Sequence, residues 1–434
     1  MSKKIEKFVV IFVAISLVCS VVYFIWSNQK DSENKSQSSS ALAKLVKEVI
    51  TGEKVFLVLF QNNMELRPGG GFIGSFAVIK TSGGKVTSYA VHDTANFDGR
   101  IPENNDLPAP MKKIFKINAW KLRDSNFSPD YPTSAKKALD FYYQGGGSEK
   151  FDGVIAINAS VLEKILQTTG PIRLEGYPNI FEAESALLTL EKQVEIDFAA
   201  QGIEVGERKD VMNDFLKEVL KKTVLLSKLD KLKLSKNLLG ELKNKNIQIY
   251  FGEERLQKLS ESSGADGAMD TAWSNDYLMV VDANLGSYKS DYYVQRALDY
   301  SVDFTKEVPE ATLKITYNHT GKEKNWMTRD YLTYLRLYLP KNSRVNEISQ
   351  GSEVTYGEEL GKKFMGGFIE VPIGKTKTVE IKYVLPRDLK EKDYQLKIQK
   401  QSGSGVVPTK VEVKLSSGEV KNFNLELNGD TILK

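Results

Sequence analysis

Val55-Phe56-Leu57-Val58-Leu59-Phe60 is an unbroken apolar run of strand length. It leads directly into Gln61-Asn62-Asn63-Met64-Glu65-Leu66-Arg67-Pro68-Gly69-Gly70-Gly71. A strand that is apolar on both faces belongs inside a sheet covered on both sides. The polar, glycine-rich continuation then lies beyond the strand's carboxyl end, where ligands collect in layered α/β sheets. Upstream, Ala41 to Ile50 spaces its apolar residues as a short amphipathic helix. Downstream, Phe72 to Lys80 reads as a second strand, and Gly83-Gly84 turns it into Lys85 to Val91. Thr133 to Tyr143 is a helix opened by Pro132 and closed by Gly145 to Gly147. Asp152 to Ile157 is a strand, and Asn158 caps a helix that buries Val161, Leu162, Ile165 and Leu166 before Gly170-Pro171. Two amphipathic helices near 181–200 and 207–227, and strands at Ile247 to Phe251 and Tyr277 to Asp282, continue the mixture. Residues 41–299 are therefore expected to form a layered α/β domain.

From about Tyr292 the period changes. Leu313, Ile315 and Tyr317, then Leu335, Leu337 and Leu339, then Val379, Ile381 and Tyr383 alternate with other residues. Period two between turn signals, without helices, predicts an all-β sandwich of immunoglobulin-like size over residues 300–434.

The amino end has a different character. Phe8 to Trp26 carries no charge over nineteen residues, enough to cross a bilayer core as a helix. Lys3, Lys4 and Lys7 in the short tail 1–7 exceed Glu6, whereas the charges after the run cancel. The positive-inside rule then predicts a single-pass plasma-membrane anchor with a cytoplasmic N-terminus and the remaining domains outside. Bulky Val21-Val22-Tyr23-Phe24 argues against a cleaved leader, and Val18 before Cys19 argues against lipidation. Residues 27–40 read as a flexible polar tether.

Composition removes several function classes. A net charge of +4 gives no electrostatic case for nucleic acid. One cysteine and two histidines exclude disulfides and zinc sites of the usual kind, leaving only oxygen-ligand metals such as Mg²⁺. Only eleven of the 60 basic residues are Arg, so each Arg position is informative for phosphate or carboxylate recognition.

Three segments are candidates for chemistry. In the first, Arg67 could fork a phosphate, oriented by Asn62 or Glu65, while Gly70 and its neighbours let backbone N–H groups approach a ligand. The same residues also suit a turn that satisfies its own backbone. In the second, Val91-His92-Asp93-Thr94-Ala95-Asn96-Phe97-Asp98, the acids Asp93 and Asp98 could hold a divalent metal and His92 could act as acid or base. Asp and Thr after a strand are equally ordinary turn formers. The third, Trp120 to Pro132, places Arg123, Asp124, Asn126 and Asp130 in a rigid, proline-flanked stretch. Arg123 and Asp124 could pair with each other, and Asp130 could support the following helix start. No G-x-S-x-G elbow is present for a serine hydrolase.

Together these stretches resemble a bacterial family known only as a domain of unknown function, the DUF-4012 family. The likeness rests on QNNMELRPGGGFIGSF, the HDT turn, W-x-x-RDSNFSPDYPTSA, FDGVIAINASVLEKILQTTGPI, VDANLGSYKSDYYVQRALDY and YLTYLRLYLP. A weaker resemblance is to the LytR-CpsA-Psr family, anchored enzymes that transfer glycopolymers from polyprenyl-pyrophosphate carriers to the cell wall. That resemblance implies a pyrophosphate surrounded by Arg67, Asp93, Arg123 and Arg208, with Mg²⁺ on the acids. It also implies the membrane bilayer and a polyprenyl-phosphate-linked glycan or peptidoglycan as partners. The chain departs from that pattern at His92, where the family carries an Arg, and at Asn62, Glu65 and Arg67, where it carries an Asp and an Arg. The expectation is therefore an envelope protein binding a phosphorylated lipid-linked or polysaccharide ligand and acting as a glycopolymer phosphotransferase. The rival is a non-catalytic surface scaffold or adhesion protein with a degenerate α/β domain.

Overall fold

The computed structural model describes residues 37–204, 208 and 210–434. Among these residues no helix is long and apolar enough to cross a membrane, and the anchor expected at 8–26 lies outside them. The chain divides into two compact units, neither continuous in sequence. The first takes the described chain up to Gln61 together with Ile73–Arg100 and Tyr142–Gly267, and the second takes Asn62–Phe72, Ile101–Phe141 and Ala268–Lys434. The boundary expected at 299/300 thus falls at Gly267/Ala268, and two segments of the expected α/β half belong to the second unit.

The first unit is α/β. Helix α1 (Gln37–Ile50) precedes strands β1 (Glu53–Arg67), β2 (Gly70–Ser82) and β3 (Lys85–Asp93), the last two joined at Gly83-Gly84, where both φ angles are positive. Helix α1 starts within the stretch expected to be tether, taking in Gln37 to Ser40. After α2 (Thr94–Asp98) the chain passes into the second unit, which takes α3 (Ala109–Ile114) and α4 (Tyr131–Gln144) as far as Phe141, and it returns to the first for β4 (Gly153–Asn158) and α5 (Val161–Thr169). A two-residue ladder, β5 (Ile172–Arg173) with β6 (Ile180–Phe181), precedes α6 (Ala186–Lys192), a π turn (Gln193–Asp197) and α7 (Phe198–Ala200). Helices α8 (Asp210–Leu225) and α9 (Lys228–Lys243), strand β7 (Ile247–Phe251) and helix α10 (Glu254–Ser263) complete the unit.

Its sheet order is β3-β2-β1-β4-β7. β1 and β4 run parallel from Phe56↔Gly153 to Gln61↔Asn158, and β7 is antiparallel to β4. The apolar run at 55–60 is thus a central strand. Phe56 and Val58 point into a core that includes Val161, Ile165, Phe215, Leu234, Leu238 and Ile249. Strand side chains alternate faces, so Leu57 and Leu59 line the other side, and they too are buried.

The second unit carries two six-stranded sheets built from β8 (Asp276–Asn284), β9 (Val294–Asp303), β10 (Glu310–His319), β11 (Tyr331–Pro340), β12 (Arg344–Ile348), β13 (Ser352–Glu359), β14 (Lys362–Val371), β15 (Thr376–Val384), β16 (Leu396–Ile398), β17 (Val407–Lys414), β18 (Val420–Leu427) and β19 (Thr431–Leu433). The orders are β12-β15-β10-β9-β17-β18 and β13-β14-β11-β8-β16-β19. The alternating residues Leu313, Ile315, Tyr317, Leu335, Leu337, Leu339, Val379 and Ile381 fill a core shared by both sheets. The region is sheet-rich, as period two predicts.

One carboxyl lies inside this core. Asp276 Oδ2 accepts from Tyr300 and Tyr394, each at 2.7 Å, and Oδ1 accepts from Tyr277 N at 2.8 Å. Burial outweighs these donors and pushes its pKa up to about 6. The folded chain then holds a proton that the unfolded chain releases, so the contribution is fully present below the ordinary Asp pKa. It is lost as pH rises through about 6, on the order of 3 kcal/mol in all. Urea denaturation from pH 4 to pH 7 should show Asp276→Asn losing less stability over that window than the parent. Parallel pH profiles would remove Asp276 as the source.

Candidate functional site

The motif after the buried strand is not a loop. Asn62 to Arg67 continue β1 in extended form, only Pro68-Gly69 turn, and β2 starts at Gly70. Gly71 has a mechanical reason: a Cβ there would sit 2.2 Å from the Asn62 carbonyl carbon. Its lack of a side chain lets two backbones approach each other, where a ligand had been expected. Gly70 has φ +137°, a conformation that favours glycine. Asn62 Oδ1 accepts from Met64 N at 3.0 Å. Asn126 holds the turn from outside: its carbonyl accepts from Gly69 N at 2.9 Å and its Nδ2 donates to Gly71 O at 2.7 Å.

Arg67 is only 2% exposed. Its Nε donates to Asp124 Oδ1 at 2.8 Å, Nη2 to Glu65 Oε1 at 2.8 Å, and Nη1 to Asn284 O at 2.9 Å. Phe72 and Phe115 stand 5.4 and 5.9 Å from the guanidinium carbon. Burial works against this charge, but Glu65 and Asp124 together outweigh it and hold the pKa above the ordinary arginine value. Burial likewise pushes the Glu65 carboxyl up, partly countered by Arg67. Arg67, expected to fork a phosphate with Glu65 orienting it, is bonded instead to Glu65 and to Asp124, which was expected to pair with Arg123, in an internal ion cage.

A second cage adjoins the first. Arg296 Nε donates to Asp282 Oδ2 at 2.8 Å, and its Nη2 donates to Asp291 and to Tyr331 Oη. Tyr317 and Thr333 donate to Asp282 Oδ1 at 2.9 and 3.0 Å. Asp291 Oδ2 in turn accepts from Leu66 N at 2.9 Å and Asn284 Nδ2 at 2.8 Å. Asn284 thus offers its carbonyl to Arg67 and its amide to Asp291, joining the cages. Gln401 Nε2 ties in a further strand end, donating to Arg67 O at 3.1 Å and Asp282 O at 2.7 Å.

The third segment is structural as well. Leu122–Asp124 form a 3-10 turn in which Arg123 is partly exposed, and Trp120 Nε1 donates to Asp124 O at 2.7 Å. Asp130 supports the helix start. Its Oδ2 accepts from Thr133 N at 3.1 Å and Thr133 Oγ1 at 2.6 Å, and its Oδ1 accepts from Met269 N at 3.0 Å.

Asp93, His92, Asp98 and Arg208 belong to the first unit, whereas both cages belong to the second. Asp93 caps α2, its Oδ1 accepting from Asn96 N at 2.9 Å, while Asp98 in the same helix is buried. Among the described residues no group of three or more His, Cys, Asp or Glu is arranged to hold a metal. His92 stacks on Phe76 with centroids 4.9 Å apart; burial first, and Arg100 second, lower its pKa. Arg208 Nη1 pairs with Glu195 Oε2 at 2.9 Å beside Phe198. Of the four groups expected around a pyrophosphate, Arg67 and Arg123 belong to one unit, Asp93 and Arg208 to the other.

Asp282, Asn284, Asp291 and Arg296 were not among the expected site residues. The signal was present, since all four fall in VDANLGSYKSDYYVQRALDY, but nothing in one sequence pairs them with Glu65 and Arg67.

Residues 51–194 match the family described as "Protein of unknown function (DUF4012)", in agreement with the resemblance carried by the first motifs. No curated protein matches the chain. Among solved structures the chain is similar to protein gbs0355 from Streptococcus agalactiae, with a TM-score of 0.32 and 14% identity over 50% of this chain and 76% of that one. It is also similar to the Lin1025 protein from Listeria innocua, with a TM-score of 0.25 and 13% identity over 50% and 81%. A third likeness is to the transcriptional regulator yvhJ from Bacillus subtilis, with a TM-score of 0.21 and 12% identity over 49% and 95%. Likeness at these scores assigns no chemistry to this chain.

Proposed function

We propose that this chain is a membrane-anchored cell-envelope protein that works as a non-catalytic scaffold. In this reading the first unit is a LytR-CpsA-Psr-like frame whose phosphate side has been turned to structural use, and the second is an immunoglobulin-like sandwich that presents surface to partners. The observation that carries it is Arg67. Its guanidinium is buried and bonded to two carboxylates and a carbonyl, so a pyrophosphate would have to displace all three. Displacement would leave Glu65 and Asp124 as buried, uncompensated anions, which is strongly unfavourable. The anchor at 8–26 and the outward orientation enter from the sequence.

The test is direct. Full-length protein purified in detergent is incubated with polyprenyl-pyrophosphate and Mg²⁺, repurified, and analysed by mass spectrometry for retained lipid and for released phosphate. The expected result is neither. Retention or release that disappears in Asp93→Ala or Arg123→Ala would overturn the scaffold reading in favour of a glycopolymer phosphotransferase.

A further inference from the structure

Helices α8 and α9 bury their proper faces: Val211, Phe215 and Val219 of one, and Leu234, Leu238 and Leu242 of the other, lie in the core of the first unit. The hairpin tip between them does the opposite. Leu225 is 75% exposed and Leu229 77% exposed, with Val224 exposed beside them. This exposure is built into the turn. Ser227 caps α9 by accepting from Asp230 N at 3.2 Å and donating to Asp230 Oδ2 at 2.7 Å, while Leu226 packs back onto the core. Three aliphatic side chains are thereby held in water on a capped turn.

The charges along the tip are predominantly positive. Between residues 218 and 236 stand Lys221, Lys222, Lys228, Lys231, Lys233 and Lys236, against Glu218 and Asp230. Asp230 is engaged by the Ser227 cap, and Glu218 by Lys221 at 3.3 Å. Lys228, Lys231, Lys233 and Lys236 pair with no carboxylate among the described residues.

We infer that the α8–α9 tip is a docking surface for an anionic lipid bilayer, with Leu225 and Leu229 entering the interface and the lysines meeting headgroup phosphates. Charge complementarity selects this occupant. Protein interfaces are depleted in Lys and centre on aromatic or Arg anchors, which the tip lacks. A bilayer instead accepts aliphatic side chains without a shaped pocket, and lysine stems can lie along it with their ammonium groups at the phosphates. Each Lys near an anionic surface adds to the attraction, so the ring acts as a unit. The inference is independent of the anchor at 8–26, which sets whether the chain is tethered and not how the first unit faces the lipid.

The experiment uses the full chain carrying Cys19→Ser and Leu225→Cys, labelled at residue 225 with an environment-sensitive nitrobenzoxadiazole probe. It is mixed with vesicles of phosphatidylcholine alone, or of phosphatidylcholine with phosphatidylglycerol, each containing a chain-attached doxyl quencher. Quenching should be several-fold stronger with phosphatidylglycerol. Converting Lys228, Lys231 and Lys233 to Gln should remove that difference and weaken binding to phosphatidylglycerol vesicles, read from a lipid titration of the quenching, by about tenfold or more. Equal quenching in the two vesicle types, or none in either, overturns the inference. So does a lipid-independent emission shift that grows with protein concentration, which would mark a contact between copies. Flotation with phosphatidylcholine vesicles reads the anchor separately, so failure of the tip and failure of the anchor are distinguishable.

Discussion

Arg67→Ala is expected to destabilise the second unit by about 3–5 kcal/mol, the usual cost of removing one partner from a buried ion cluster. The change deletes three charge-assisted hydrogen bonds at once and leaves Glu65 and Asp124 facing each other without a cation. Because the chain has two compact units, a single unfolding midpoint is not the right reporter. Amide hydrogen exchange separates them: protection in β8 and β11 should fall, while protection in β4 and β7 serves as the internal reference. A second variant tests the cause. Arg67→Met with Glu65→Gln and Asp124→Asn removes the stranded charges and should recover a large part of the loss. If Arg67→Ala left exchange in β8 unchanged, the guanidinium would be dispensable for folding and a ligand-binding role would regain its place.

The same cage shows what one sequence could and could not disclose. The run Val55 to Phe60 declared a central strand because both faces are apolar, and the sheet-rich second unit declared itself through residues such as Leu313, Ile315 and Tyr317 at period two. Helix α9 was missed because its leucines do not form one stripe: Leu234 and Leu238 are core, whereas Leu229 faces water. The path of the chain between units was not legible at all. It depends on Arg67 meeting Asp124 and Asn284, partners 57 and 217 residues away, and spacing along the chain carries no information about such pairing. For the candidate site, the sequence offered Arg67 with Asn62 and Glu65 as either a phosphate site or a self-satisfied turn. What spacing could not supply was burial, and burial decides whether an arginine recognises a ligand or neutralises its neighbours. Asp130 bonds locally to Thr133 and, across the sequence, to Met269 N, and the Gly69–Gly71 turn is held by Asn126, a partner remote in sequence.

Arg296→Met should cost a similar amount, about 3–5 kcal/mol, because it strands Asp282 and Asp291 in the same interior. The more informative result is how it combines with Arg67→Met. The two cages share Asn284 and Asp291: one carbonyl serves Arg67, and one carboxylate oxygen serves both Leu66 N and Asn284 Nδ2. Losing either arginine frees Asp291 or Asn284 to shift, so the second loss removes less than it would alone. The double variant is therefore expected to be less destabilised than the sum of the singles, by about 0.5–3 kcal/mol, in hydrogen exchange of β8 and β9. Additivity to within about 0.5 kcal/mol would mean two independent ion clusters that happen to adjoin. A coupling of the expected sign would instead identify one network through which the segment at 62–72 is held to the strands that follow residue 275. The motif most suggestive of catalysis in the sequence would then be an internal fastening of the second unit.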